Sequence, residues 1–114
     1  MKTTKKQFDE FVAECERLQP LMGLTTYRIR YWHEPLDGGS VARCGVNPNE
    51  CLCDMYFSTD SGCDDPQPLI CARHEMSHLL LTRLSLYGRL RFGISPEVIE
   101  MEEESLANIL EKLI

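Results

Sequence analysis

The sequence predicts an α+β fold: one small domain with an N-terminal helix, a three-stranded and mostly antiparallel sheet, and two further helices. Three observations predict it. Apolar residues recur at spacings of three and four near the N-terminus and again over the last forty-odd residues. Between these two regions lie three short runs rich in β-branched and aromatic residues, separated by turn signals. At 114 residues, 43% hydrophobic and 26% charged, the chain is large enough for one core but not for two.

The first helix is expected from Thr3 to about Gln19. Phe8, Phe11, Val12, Cys15 and Leu18 form its stripe, Thr4 is a candidate N-cap, and Pro20 and Gly23 close it. Thr25 to Trp32 alternates Arg28 and Arg30 against Tyr27, Ile29 and Tyr31 and reads as a strand. Asp37-Gly38-Gly39 marks a turn, after which Ser40 to Val46 is a second strand and Asn47-Pro48-Asn49 a loop. Cys51 to Ser58 is the third strand; its imperfect alternation suits an edge or a partly buried position. Thr59 to Pro68 is a loop. A long helix follows from Gln67 or Leu69 to about Leu86, with Leu69, Ala72, Met76, Leu79 and Leu80 on one face. Ile70, His74, His78 and Leu81 lie nearly opposite, so this helix is expected to be buried almost all round. Tyr87 to Gly93 is an exit loop. Ser95-Pro96-Glu97 then starts a last helix, to about Leu113, with Ser at N-cap and Pro at N1. No internal repeat or low-complexity segment interrupts this order.

Within the long helix, His74-Glu75-Met76-Ser77-His78 has the form H-E-x-x-H. Residues four apart share one helix face, so the two imidazoles can converge on one Zn²⁺. Glu75 lies roughly 100° round the helix. It is placed to take a proton from water at the metal rather than to bind the metal itself. By residue frequencies such a motif arises by chance in only about a few of every thousand chains of this length. The alternative is a pair of satisfied histidines on a buried helix. A di-iron carboxylate site needs a second Glu-x-x-His and four long helices, and the sequence has neither.

A catalytic zinc needs a third protein ligand. The last helix offers Glu97, Glu100, Glu102, Glu103 and Glu104, and the remaining histidine, His33, reads as structural. Glu104 and Asn108 stand at i and i+4, so an amide there can orient a ligating group, and Ala107 permits close approach. Against this, Leu106, Ile109, Leu110 and Leu113 form the apolar stripe, and Glu102 and Glu103 lie nearer to it than Glu104. Periodicity leaves Glu102, Glu103 and Glu104 all open.

His74-Glu75-x-x-His78 followed by Glu104-Ser105-Leu106-Ala107-Asn108 resembles the gluzincin branch of the zincin metallopeptidases, and within it the compact ImmA/IrrE-like group, which includes phage- and mobile-element-encoded members. The resemblance covers Arg73–Leu81 and Glu104–Leu110. It implies a minimal zincin-like domain with His74, His78 and Glu104 as zinc ligands, Glu75 as general base, Asn108 behind the ligands, and a peptide or protein as substrate. No Gly-x-x-His follows His78, so the metzincin pattern is not met. No helix-turn-helix or appended domain is evident.

The formal net charge is −6, which argues against nucleic acid as the main partner. No apolar leader or membrane-length run is seen, so a soluble, cytoplasmic protein is expected. Six cysteines without a leader favour free thiols. Cys44, Cys51, Cys53 and Cys63 form a C-x6-C-x-C-x9-C cluster, a candidate second metal site, whereas Cys15 and Cys71 read as small buried residues. Tyr56 and Tyr87 are candidates to assist an oxyanion, and Cys53–Thr59 to receive a peptide as an added strand. The competing class is a zinc-binding regulatory or interaction module that keeps the site but cleaves nothing. The oligomeric state is not legible in the sequence.

Overall fold

The computed structural model describes residues 2–63, 65–89 and 95–113, without the side chains at 83, 84, 87–89, 99 and 110–113. Helix α1 (Lys5–Leu21) starts at a capping box. The Thr4 hydroxyl accepts from the Gln7 N–H, and the Gln7 side chain accepts from the Thr4 N–H. Pro20 does not stop the helix but sits in its last turn, where the missing N–H costs one bond. The stop comes at Gly23, whose φ of 69° is the left-handed conformation glycine adopts without penalty. Gln19 then ties down the exit, its amide donating to the carbonyls of Leu24 at 3.0 Å and Tyr27 at 2.8 Å.

Thr25 and Thr26 form a turn, closed by the Tyr27 N–H on the Leu24 carbonyl at 3.1 Å. Strand β1 therefore begins later than their β-branched character suggests, at Arg28, and runs to Glu34. A short turn of 3₁₀ helix at Asp37–Gly39, with Gly38 and Gly39 both at positive φ, leads to β2 (Ala42–Asn47). A tight loop then returns the chain as β3 (Leu52–Ser58).

The strands lie in the order β1-β3-β2. This corrects one expectation and decides between the alternatives of another. The sheet is mixed rather than mostly antiparallel, because β1 pairs with β3 in parallel and only β2 with β3 is antiparallel. The glycine turn after β1 does not close a hairpin; it carries the chain past the future place of β3, which then slots between its predecessors. Of the two positions that the pattern of β3 suited, an edge or a partly buried one, it takes the second, as the central strand. Its inner positions Cys53, Met55 and Phe57 are at most 1% exposed, and its alternation looks imperfect only because Leu52, Asp54 and Tyr56 on the other face are themselves half-covered.

Helix α2 (Pro68–Arg89) continues past the expected stop near Leu86, through Gly88, a tolerable cost of about 1 kcal/mol in a helix held by packing. Helix α3 (Pro96–Leu113) starts as predicted, with the Ser95 hydroxyl accepting from the Val98 N–H at 3.3 Å. The helices cover one face of the sheet and leave the other bare. Between the layers, Phe11, Cys15 and Leu18 of α1 meet Met55 and Phe57 of β3, Ala72, Met76, Leu79 and Leu80 of α2, and Leu106 and Ile109 of α3. The Phe11 and Phe57 rings stand 5.2 Å apart. Each such large side chain contributes about 2–3 kcal/mol by leaving water. Among the described residues no helix is long and apolar enough to cross a membrane.

Candidate metal and hydrolytic site

Ala72, Met76, Leu79 and Leu80 turn one face of α2 fully into the core. That fixes the helix rotation, and with it the direction of every other side chain on α2. His74 and His78 emerge on the opposite face, one turn apart, with ring centroids 4.7 Å apart and planes at 84°. Their Nε2 atoms approach to 3.1 Å. That separation is a ring-to-ring hydrogen bond, and it is also close to the about 3.3 Å between two ligands on a tetrahedral zinc with bonds of about 2.0–2.1 Å. The His-bearing face is not sheltered as expected. Both histidines are exposed, and Ile70 and Leu81 beside them are 60% and 53% exposed, because the sheet is only three strands wide and its edge strand β2 ends alongside the helix.

Glu75 is rotated toward β2 and only 7% exposed. Burial pushes its carboxyl above the usual range, while His74 and His78 pull it partly back down. Two grooves run between α2 and β2 and meet at Glu75 and Ala42, which line both. The larger, about 590 Å³, is bounded by Arg43, Cys44, Val46, His78, Leu81 and Thr82. The smaller, about 330 Å³, is bounded by Val41, Ile70, Cys71 and His74. Sequence reasoning did not find Ala42 or the inner side of β2 as part of this site. No local signal marks them; they reach Glu75 only through packing.

An ion pair with a buried carboxylate and solvent-exposed arginines holds α2 against α1 one residue before His74. Glu14, 6% exposed, accepts from Arg17 at 2.6 and 3.0 Å and from Arg73 Nε at 2.8 Å. The Arg17 hydrogen bonds are the largest influence and Arg73 adds to them. Together they outweigh burial and bring the Glu14 carboxyl down to about 2. The signal was present in the sequence, since position 14 falls on the same stripe as Phe11, Cys15 and Leu18.

The glutamates of α3 separate by face. Glu102 turns inward with Leu106 and Ile109 and is 6% exposed, whereas Glu103 and Glu104 are exposed. Glu104 and Asn108 line a groove of about 540 Å³ with Pro20, Leu21 and Gly23 at the end of α1, and neither lines the grooves at Glu75. Among the described residues no group of three or more His, Cys, Asp or Glu side chains is gathered to hold a metal ion. The histidine pair is thus brought together, and Glu104 and Asn108 are placed elsewhere.

His33 is structural: its Nε2 bonds the Thr3 hydroxyl at 2.8 Å, and its ring stacks on Phe8 at 4.9 Å. Tyr56 faces the bare side of the sheet, under the Arg43 guanidinium at 5.1 Å, and so cannot serve an oxyanion at His74 and His78. The Tyr87 side chain lies outside the described residues. Nor can Cys53–Thr59 take a peptide as an added strand, because β1 and β2 occupy both its edges; the outer strands are β1 and β2, of which β2 is the one beside α2.

All six cysteines are free thiols. Of the four-cysteine cluster only Cys44 and Cys53 meet, their sulfurs 3.6 Å apart across β2 and β3. The hydrogen bond shared with Cys44 and then burial push the Cys53 thiol far up, and burial pushes Cys15 up to about 12. Cys63 is exposed, and Cys51 turns toward the Pro48 carbonyl at 3.8 Å. Cys71 is only half-buried, at the wall of the smaller groove.

In comparisons with family models, curated proteins and solved structures, the chain matches none of them.

Proposed function

We propose that this chain is a zinc-dependent metallopeptidase of the zincin kind that hydrolyses peptide bonds, with His74 and His78 as metal ligands and Glu75 as general base. What supports it is the convergence of the two Nε2 atoms to 3.1 Å beside a buried carboxylate at the meeting point of two grooves. Bound zinc supplies Lewis-acid polarisation of the scissile carbonyl and of the attacking water. Glu75 takes the proton from that water and passes it to the leaving amine. The outer edge of β2, whose residues line both grooves, offers backbone groups to an extended peptide, holding it across Glu75. Glu104 is proposed as the third ligand on the resemblance alone, with Asn108 orienting it. To reach the histidines it has to leave the groove at the end of α1.

The experiment is metal analysis of the purified chain alongside a peptide-cleavage screen. Wild type and Glu75→Gln should each carry about one zinc, with cleavage only in wild type. His74→Ala and Glu104→Ala should lose the metal, whereas Glu103→Ala and Glu102→Ala should keep it. Absence of zinc, or zinc that survives His74→Ala, overturns the proposal. Stoichiometric zinc with no cleavage by wild type leaves the non-catalytic zinc-binding module instead.

A further inference from the structure

The face of the sheet turned away from the helices presents an unusual set of side chains in register. Across β1, β3 and β2 the rows read Arg28–Leu52–Asn47, Arg30–Asp54–Gly45 and Trp32–Tyr56–Arg43. Trp32, the chain's single tryptophan, is 42% exposed here. Exposing that much of the largest apolar side chain forgoes stabilisation that a folded monomer normally secures.

These groups are held in place. Asp54 accepts from both arms of Arg30, at 2.8 and 3.0 Å, and from the Trp32 indole N–H at 3.0 Å. Arg43 lies over the Tyr56 ring. Beside this row, a side chain at Gly45 would meet nothing within 4 Å, so the edge of the platform is open.

The charge is also out of character with the rest of the molecule. Three arginines face only two carboxylates here, Asp54 and Glu34, on a chain of net charge −6. Asp54 is already committed to Arg30 and Trp32, which leaves Arg28 and Arg43 as the outward cations. All the cations are arginine and none is lysine. Tryptophan, tyrosine and arginine without lysine is the composition of a protein-binding hot spot.

We infer that this sheet face docks an acidic segment of another protein, with Trp32 and Tyr56 as apolar anchors and Arg28 and Arg43 pairing its carboxylates. The face lies across the sheet from His74 and His78 and meets the larger groove at Arg43, on the edge strand. The inference does not depend on the metal or on hydrolysis.

Trp32 itself reports the test. Its emission is titrated with a short peptide of alternating glutamate and leucine, with the same peptide carrying lysine for glutamate, and with oligothymidylate. The acidic peptide should give a saturable change that weakens as salt is raised. Arg28→Glu and Arg43→Glu should each weaken it about tenfold, with Arg28→Gln and Arg43→Gln between them and wild type. Circular dichroism confirms that each variant is folded, and Arg30 is left intact because it holds Asp54. No saturable change, an equal response to the lysine peptide, a tighter response to the oligonucleotide, or wild-type binding by the charge-reversed variants would overturn the inference.

Discussion

Replacing Glu14 by glutamine removes a carboxylate that pins α1 to α2, and the structure sets the size and the pH dependence of the loss. The carboxyl is brought from 4.5 down to about 2 by Arg17 and Arg73. Taken whole, that shift is worth about 3.4 kcal/mol at 1.36 kcal/mol per unit. Glu14 is buried, but the side chains of Arg17 and Arg73 are 53% and 55% exposed, so solvent screens the pairing. A cost of about 2 kcal/mol at neutral pH is the expected figure, or a drop in melting temperature of roughly 8 °C for a domain of this size. The folded value lies below the ordinary one. The stabilisation is therefore complete above about pH 4.5 and is lost as pH falls through about 2. Urea unfolding of wild type and Glu14→Gln from neutral pH to about pH 2 measures this directly. The two stabilities should differ most at neutral pH and converge in acid. Asp54, also held low by Arg30 and Trp32, titrates in both proteins and cancels in the difference. A difference that stays constant across that range would refute the assignment, since it would mean that Glu14 acts through packing and not through its charge.

Two other outcomes follow from burial. Met76→Ala, at a fully buried position between the histidines, should cost about 2–4 kcal/mol in urea unfolding without altering the thiols. Maleimide labelling of the native protein should take Cys63 first, because it is the exposed thiol. Cys15 and Cys53, at most 1% exposed and with their thiols pushed up, should react only on unfolding.

Local chemistry wrote much of the outline into the sequence. The capping box at Thr4, the glycines at 23, 38 and 39, the Ser95-Pro96 helix start and the helical spacing of His74 and His78 all act within a few residues, and they appear where the pattern places them. The apolar stripe of α2 likewise identified the buried face from Ala72 to Leu80, because a 3.6-residue period needs no knowledge of the partner, though Leu69 at its start is 41% exposed. What the pattern could not supply was how much of the opposite face is covered. Ile70 and Leu81 look like core residues in sequence but stand in solvent, since their exposure depends on where the sheet ends.

Strand order was decided by tertiary structure alone. Each strand announces itself through side-chain alternation, but pairing partners are chosen by which arrangement buries Met55 and Phe57 under α1 and α2. That choice made β3 central and β2 the edge strand beside α2, which moved the candidate peptide-binding edge from one strand to the other and placed Ala42 beside Glu75. The pairing of Glu14 with Arg73, 59 residues apart, is of the same kind: the residues are visible in the sequence, but their contact exists only once α1 and α2 are packed. The sequence by itself determined the helices, the turns and the paired imidazoles, because those depend on neighbours along the chain. The open histidine face, the two grooves meeting at Glu75, the groove that holds Glu104 and the bare arginine–aromatic face of the sheet depend on which elements cover which, and only the packed fold decides that.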